Sequence, residues 1–130
     1  MPGPQDELRR GRSLRTRSAG DWGEDLALRY LVRKGYTLVE RNYRTRYGEL
    51  DLVVRDGDTL VFVEVKLRRG REFGHPTEAV TPRKQAAVRS MAEQYLAERD
   101  PEFDELRFDV VGILASGHGP PEIQHLENAF

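Results

Sequence analysis

The chain of 130 residues contains no cysteine, which excludes three kinds of site at once. A disulfide framework, a thiolate zinc site and a cysteine nucleophile all require thiols. The chain has only three histidines, and they are not clustered, so a histidine zinc site is disfavoured. We therefore expect any metal in this protein to be held by oxygen ligands.

Long apolar segments are absent as well. No hydrophobic run approaches the roughly 18 residues that a membrane-spanning helix needs, so we expect no membrane association. Residues 1–17 are polar and basic, with five arginines and no apolar centre. We expect them to form a disordered basic arm rather than a secretory signal, and a simple tail is favoured over an arm that contacts nucleic acid. The expected location is the cytoplasm, and residues 18–130 are long enough for one domain with its own core.

Charge is distributed unevenly along the chain, although the net charge is only −1. Residues 1–89 carry a net charge of +6, whereas residues 90–130 carry −7. A basic segment around a carboxylate site is typical of proteins that bind a polyanion such as nucleic acid. Two ordinary solvated faces would give the same counts, so charge alone leaves both interpretations open.

Hydrophobic periodicity predicts the order α-β-β-β-α-β with a short final strand. The predicted elements are helices over about 20–34 and 82–99, strands over 37–44, 47–55, 59–67, 106–114 and 123–126, and a mobile basic loop over 68–76. Trp22 and Tyr30 fall on one helical stripe, so we expect both in the core. The order predicts an α/β fold in which a mixed central β-sheet is flanked by α-helices.

Two neighbouring predicted strands carry charged residues inside apolar runs. Asp51 interrupts Leu50–Val54, and Glu64 and Lys66 end the run Leu60–Leu67. Burying an unpaired charge costs several kcal/mol or more, so such groups are seldom mere scaffold. A divalent cation held by Asp51 and Glu64, with Lys66 beside it, would explain all three. Two structural alternatives remain: an ion pair between Glu64 and Lys66, and an Asp51 carboxylate that satisfies turn or backbone donors.

The turn between these two strands decides whether the acids can meet. Asp-Gly between apolar runs is a strong hairpin signal. A two-residue loop at Asp56-Gly57 places Asp51 diagonal to Glu64, and a four-residue loop places it directly opposite. An odd number of loop residues would put the acids on opposite faces unless a bulge restored the parity.

Two carboxylates at this spacing are typical ligands of Mg²⁺ or Mn²⁺, which prefer oxygen. The carbonyl oxygen of Val65 is a further candidate ligand, and Glu24 on the first helix is a candidate ligand or hydrogen-bond partner. Lys66 is placed to orient or deprotonate an attacking water, or to neutralise charge on a phosphate. Arg83 and Lys84 open the second helix, where backbone amides favour anions, so they are candidate phosphate-binding residues.

The remaining polar residues have weaker functional signals. Asp109 lies inside the strand over 106–114, and we expect it to pair with Arg107 or with a neighbouring strand, in a structural role. His75 precedes a proline in the basic loop, and a structural interpretation is favoured. His118 and His125 are predicted to be isolated and exposed.

Several short segments of the chain resemble one protein family. They are Gly20–Glu24, Arg41–Arg44, Gly48–Asp51, Val61–Lys66 with Arg68, Arg107–Val110 and Glu127–Phe130. At these positions the chain resembles the uncharacterised bacterial YraN family of endonuclease-like proteins, in the PD-(D/E)XK nuclease superfamily and similar to archaeal Holliday junction resolvases. Asp51 matches the first acid of the superfamily motif, and Glu64-Val65-Lys66 matches its E-x-K element. Leu50 stands where the motif has proline.

The resemblance implies a restriction-endonuclease-like core that cleaves DNA, for example branched or damaged DNA, with Mg²⁺ or Mn²⁺. The catalytic residues would be Glu24, Asp51, Glu64 and Lys66, and we expect Arg68 to contact nucleic acid. A two-fold homodimer is also expected, because resolvase-like enzymes cut two strands symmetrically. Two other functions fit the sequence: a nucleic-acid-binding module without catalysis, and an interaction subunit of a DNA repair complex.

Overall fold

The computed structural model describes residues 19–70 and 80–130. The predicted arm over 1–17, His75 and most of the predicted loop over 68–76 lie outside these residues. The described part contains, in order, α1 (Ala19–Arg33), β1 (Thr37–Thr45), β2 (Gly48–Asp56), β3 (Thr59–Arg69), α2 (Pro82–Arg99), β4 (Glu105–Ala115) and β5 (Glu122–Leu126). Every predicted helix and strand is therefore present, and the predicted order is confirmed.

The five strands form one mixed sheet in the order β1-β2-β3-β4-β5. Neighbouring strands are antiparallel except β3 and β4, which are parallel. A parallel pair needs a long crossover connection, and α2 lies in that connection. This architecture confirms the predicted α/β class and is consistent with a restriction-endonuclease-like core. Strand β3 runs to Arg69, so Arg68 lies in the sheet, paired with Leu114, and not in the predicted loop.

Helix α1 covers one face of the sheet. Its residues Ala27 and Leu31 are fully buried against residues of β2, β3 and β4. Trp22 is 39% exposed, so its predicted place in the core is wrong. Gly23 faces the sheet instead, because a Cβ there would lie 3.7 Å from both Leu67 and Ile113. Neither described helix is long and apolar enough to cross a membrane.

Helix α2 covers the other face. Its buried side chains are Val88, Met91, Ala92 and Tyr95, whose helical spacing puts them on one stripe. The Thr81 side chain caps the helix by accepting a hydrogen bond from the Lys84 backbone N–H at 3.2 Å, and Pro82 occupies the first helical position. Since β3 has a helix on each face, its run Leu60–Val63 is apolar on both sides.

A buried network of hydrogen bonds ties β4 to β5. Asp109 is fully buried and accepts hydrogen bonds from Arg107 Nε at 2.9 Å and Nη2 at 3.0 Å, which confirms the predicted structural pair. His125 Nε2 lies 2.8 Å from the same carboxylate, and the Asn128 backbone N–H donates to it at 3.0 Å. His118 is exposed as predicted, but the side chain of His125 is only 1% exposed. The prediction for His125 is wrong because β5 pairs with β4 and carries the ring onto Asp109.

Candidate functional site

The β2–β3 hairpin brings the two predicted acids to the same level of the sheet. Asp56 pairs with Thr59, so the loop is the two residues Gly57 and Asp58, and the predicted turn at Asp56-Gly57 is wrong by one position. Arg55 therefore pairs with Leu60, the same register that a four-residue loop would give. Gly57 takes the φ of 61° that the turn requires, a left-handed conformation that costs glycine little. The last ladder pair is Leu52 with Val63, so Asp51 and Glu64 are the next residues on their strands, just beyond the end of the ladder.

Regular strand structure breaks at Asp51. Leu50 and Leu52 are two residues apart, yet they pack on opposite faces of the sheet, so the side-chain alternation fails between them. On β1, Asn42 lies opposite Asp51 in the register and has a φ of 56°. Asparagine tolerates this left-handed conformation better than most residues do. The two strands therefore bend together at the level of Asp51.

The break also frees a backbone donor of β3. The β2–β3 ladder ends at Leu52 and Val63, so the N–H of Val65 has no ladder partner on β2. It donates instead to Asp51 Oδ2 at 2.9 Å. This hydrogen bond fixes the carboxylate at the end of the ladder.

Three carboxylates converge at this position, and we call them the carboxylate cluster. Oxygen atoms of Glu24, Glu49 and Asp51 all lie within 4.8 Å of one another. Glu24 is buried and comes from α1, whereas Glu49 is partly exposed at the start of β2. Two of the three were predicted site residues, and the third, Glu49, was not assigned a role.

Two of these carboxylates have a cationic partner. Arg41 Nε lies 3.3 Å from Glu24 Oε1, and Arg44 Nε donates to Glu49 Oε2 at 2.7 Å. Within residues 19–70 and 80–130, Asp51 makes no ion pair with a side chain. It is thus the one acid of the cluster whose negative charge the described chain leaves uncompensated.

Glu64 lies beside the cluster and contacts the two predicted lysines. Its side chain is only 5% exposed, and its Oε1 lies 3.3 Å from Lys84 Nζ and 3.6 Å from Lys66 Nζ. The structure therefore brings Glu64, Lys66 and Lys84 together. The carboxylate cluster does not include Glu64, whose oxygen is engaged by both ammonium groups.

Burial raises the pKa of two of these acids, Asp51 and Glu24. Burial is the largest cause that raises the pKa of Asp51 to about 7, and the negative charge of Glu64 is the next, while the hydrogen bond from Val65 acts in the opposite direction. Burial also raises the pKa of Glu24, although Arg41 offsets part of this effect. A cation bound at the cluster would favour the ionised form of Asp51 and compete with its proton.

The donor atoms of the cluster fit a hard divalent cation. Glu24, Glu49 and Asp51 all offer carboxylate oxygen, which Mg²⁺ and Mn²⁺ prefer, and Glu49 keeps the site open to water. Val65 donates its backbone N–H to Asp51. The Val65 carbonyl oxygen and the Glu64 carboxylate remain proposed ligands of the cation.

The other predicted nucleic-acid contacts lie around this site. Arg83 is exposed in the first turn of α2, next to Lys84, which reaches Glu64. Arg68 is partly buried on β3, two residues beyond Lys66. Alternation along β3 places Arg68 on the same side as Glu64 and Lys66.

Sequence reasoning missed two residues of the site. Glu49 is two residues before Asp51, and this closeness in sequence was its only signal, because the alternation that would place the two side chains fails at Asp51. Arg41 gave no such signal, because its contacts all lie on α1: Glu24, Asp25 at 2.6 Å and the Asp21 carbonyl at 3.2 Å. Only the packing of α1 against β1 brings these groups to the arginine.

Comparison with known proteins places the chain among relatives of similar length. A profile of the Uncharacterised protein family UPF0102 matches residues 23–113. A UPF0102 protein of Rhodococcus opacus is 52% identical over 112 residues, which cover 85% of this chain and 94% of the relative. A UPF0102 protein of Syntrophomonas wolfei is 53% identical over 114 residues, which cover 88% and 98%. The matched region contains Glu24, Glu49, Asp51 and Glu64.

Proposed function

The chain belongs to the Uncharacterised protein family UPF0102, and we propose that it is a metal-dependent endonuclease that hydrolyses DNA phosphodiester bonds. The observation that carries this proposal is Asp51, an acid among three other carboxylates and without a cationic partner in the described chain. A divalent cation would supply the missing positive charge. The resemblance of Asp51 and Glu64-Val65-Lys66 to the PD-(D/E)XK motif supports the same reaction.

In the proposed reaction, water adds to phosphorus and the bond from phosphorus to one ester oxygen breaks. Asp51, Glu24 and Glu49 would hold Mg²⁺ or Mn²⁺, with Glu64 and the Val65 carbonyl as further ligands. The bound ion would polarise a phosphate oxygen and lower the pKa of a bound water.

Lys66 and Lys84 supply positive charge next to the carboxylates. Both ammonium groups contact Glu64 Oε1 and retain partial exposure to solvent. An incoming phosphate offers a second anionic partner, so Lys66 and Lys84 would neutralise the charge that develops on it. The Lys66 ammonium would also orient the attacking water, whose proton leaves to solvent while the departing oxygen takes one up. Arg68 and Arg83 would bind flanking phosphates.

The proposed substrate is DNA with a branch or a damaged site, and the proposed active form is a two-fold dimer. A dimer would present two copies of the carboxylate cluster to two strands. Light scattering of the protein alone and with a four-way junction measures whether the protein forms a dimer.

A second candidate function is nucleic-acid binding without cleavage. The two ion pairs of Glu64 favour it, because they compensate a buried charge without any metal. A binder would retain its affinity for DNA in the absence of metal and would have no cleavage to lose.

Cleavage of a DNA panel tests the proposed function. The purified protein is incubated with four-way, flapped, nicked, single-stranded and plain duplex DNA, in Mg²⁺, Mn²⁺, Ca²⁺ or EDTA. We expect Mg²⁺ or Mn²⁺ to support cleavage and EDTA to abolish it. Tight, salt-dependent binding without cleavage of any substrate would instead support the binding module. An absence of both would point to a protein-interaction role.

Metal binding has a separate readout in thermal unfolding. At pH 8, Mg²⁺ at ten times its dissociation constant should stabilise the fold by about 1.4 kcal/mol. This corresponds to a rise in Tm of about 5 °C for a domain of this size. Asp51→Asn should remove most of the rise. Glu93→Gln, which changes an exposed acid on α2, should keep it, and an equal rise in all three proteins would argue against the site.

A further inference from the structure

The β1–β2 turn carries the most exposed large hydrophobic side chain of residues 19–70 and 80–130. Arg46 and Tyr47 form this turn, between the paired residues Thr45 and Gly48. The Tyr47 residue is 67% exposed. An aromatic ring this exposed contributes little to the core and has a free face with which to contact a ligand.

The ring of Tyr47 is held in place. The Tyr47 backbone N–H donates to Thr45 Oγ1 at 3.0 Å, and that hydroxyl lies 3.5 Å from Met91 Sδ on α2. The Arg46 guanidinium lies 4.8 Å from the ring centre and donates to the Tyr47 hydroxyl at 2.5 Å. The turn thus presents a positioned aromatic ring that pairs with a guanidinium group.

This turn adjoins the carboxylate cluster. Tyr47 precedes Glu49 by only two residues, and Arg44, just before the turn, donates to Glu49 at 2.7 Å. Arg44 and Arg46 add two positive charges on the rim of an acidic site. This combination of exposed ring and arginines is complementary to a nucleotide, with a base face and a phosphate.

We propose that Arg46 and Tyr47 form a stacking platform for an unpaired nucleobase next to the phosphodiester that the site cleaves. The inference rests on the proposed function and narrows its substrate class to DNA with unpaired bases, such as a gap, a flap or an open branch point. A base in an intact duplex already stacks on its neighbours and offers no free face. The platform therefore discriminates between unpaired and paired DNA.

Binding without metal tests the platform independently of cleavage. In EDTA, the affinity of the protein is measured by anisotropy for a gapped duplex and for a blunt duplex of equal length. Tyr47→Ala should lower the affinity for gapped DNA about tenfold, the ordinary contribution of one base–aromatic stack. Its effect on the blunt duplex should stay within about twofold, since no base is free to stack there. Tyr47→Phe should retain the preference, because it keeps the ring.

Phe103→Ala serves as the matched control. Phe103 is another exposed aromatic residue, but it lies near Arg55 and Asp58, at the far end of β2 from Tyr47. This variant should bind both DNAs as the unchanged protein does. A 2-aminopurine base in the gap gives a second signal, because stacking on Tyr47 quenches its fluorescence.

The outcomes separate this inference from the proposed function. If the protein cleaves DNA but Tyr47→Ala affects both DNAs equally or neither, the platform is wrong and the nuclease proposal stands. If nothing is cleaved but Tyr47 still quenches 2-aminopurine and favours gapped DNA, the platform stands and the nuclease proposal fails. If the protein binds no DNA, the platform is overturned. The same holds if Tyr47 contacts a protein partner and not DNA.

Discussion

In the proposed endonuclease, replacing Asp51 with asparagine should strongly reduce DNA cleavage and at the same time make the metal-free protein more stable at pH 8. Asp51 is the central acid of the carboxylate cluster, so its loss should reduce cleavage about 1,000-fold, or about 4 kcal/mol of transition-state stabilisation. The asparagine side-chain oxygen can still accept the hydrogen bond from the Val65 N–H. The fold therefore loses a repelled charge and keeps its backbone contact.

The pH dependence of this stability follows from the direction of the pKa shift. The folded pKa of Asp51 is about 7, above its ordinary value of 3.8, so the folded state holds the proton more tightly than the unfolded state. The contribution of Asp51 to the free energy of unfolding should therefore fall as the pH rises from about 4 to about 7 and stay level above that. The full shift corresponds to roughly 4 kcal/mol, and we expect Asp51→Asn to recover about 2 kcal/mol of it.

Urea unfolding of the wild-type protein and of Asp51→Asn between pH 4 and pH 8 measures this effect. The two stability curves should approach each other at pH 4 and separate toward pH 8, in EDTA. Mg²⁺ should close the gap at pH 8 by stabilising only the wild-type protein. A variant that is less stable than wild type at pH 8 would contradict the picture of a repelled, metal-competent carboxylate.

Replacing Asp109 with alanine should cost about 3–5 kcal/mol of folding free energy, because it leaves buried cationic and polar groups without their partner. The carboxylate accepts hydrogen bonds from Arg107 and from the Asn128 backbone, and it also contacts His125. These groups belong to β4, β5 and the C-terminal turn. The substitution should therefore loosen the last strand together with the segment after it.

Asp56→Ala is the matched control, because Asp56 contacts the same arginine. Arg107 Nη1 lies 3.3 Å from Asp56, but that carboxylate is about half exposed. An exposed ion pair is worth at most about 1 kcal/mol, so this variant should remain close to wild type. Urea unfolding at pH 7 compares the three proteins. If Asp109→Ala also stays within about 1 kcal/mol of wild type, the hydrogen-bond network does not stabilise the packing of β5 on β4 as its geometry indicates.

Acid should weaken the effect of Asp109→Ala. Burial alone would raise the pKa of Asp109, but hydrogen bonds from His125 and Arg107 outweigh it and hold the pKa below its ordinary value. A lowered folded pKa stabilises the fold above the unfolded pKa of 3.8, and that contribution is lost as the pH falls through the folded value. The gap between wild type and Asp109→Ala should therefore narrow below about pH 4.

Much of the fold could be predicted from local patterns. The apolar spacing of α2, the Thr81-Pro82 pair at its start and the apolar runs of β2 and β3 are short-range signals in the sequence, and the structure agrees with them. The sequence placed Trp22 in the core because two helical stripes that differ by one position look alike. Only the close approach of Gly23 to β3 and β4 shows which side of α1 faces the sheet. His125 was misplaced because its partner on β4 is 16 residues away.

The sequence by itself determined that charged residues interrupt two adjacent strands, because Asp51, Glu64 and Lys66 stand inside apolar runs. An ordinary buried strand carries no unpaired charge at such positions. Only the tertiary structure decided that Glu24 and Glu49 meet Asp51, that Arg41 joins them, and that Glu64 turns to the two lysines. Those contacts depend on the register of β2, on the bend at Asn42 and on the docking of α1. Each of these features depends on contacts between residues that are far apart in the sequence. The packing of the whole sheet sets them, and the neighbouring residues in the sequence do not.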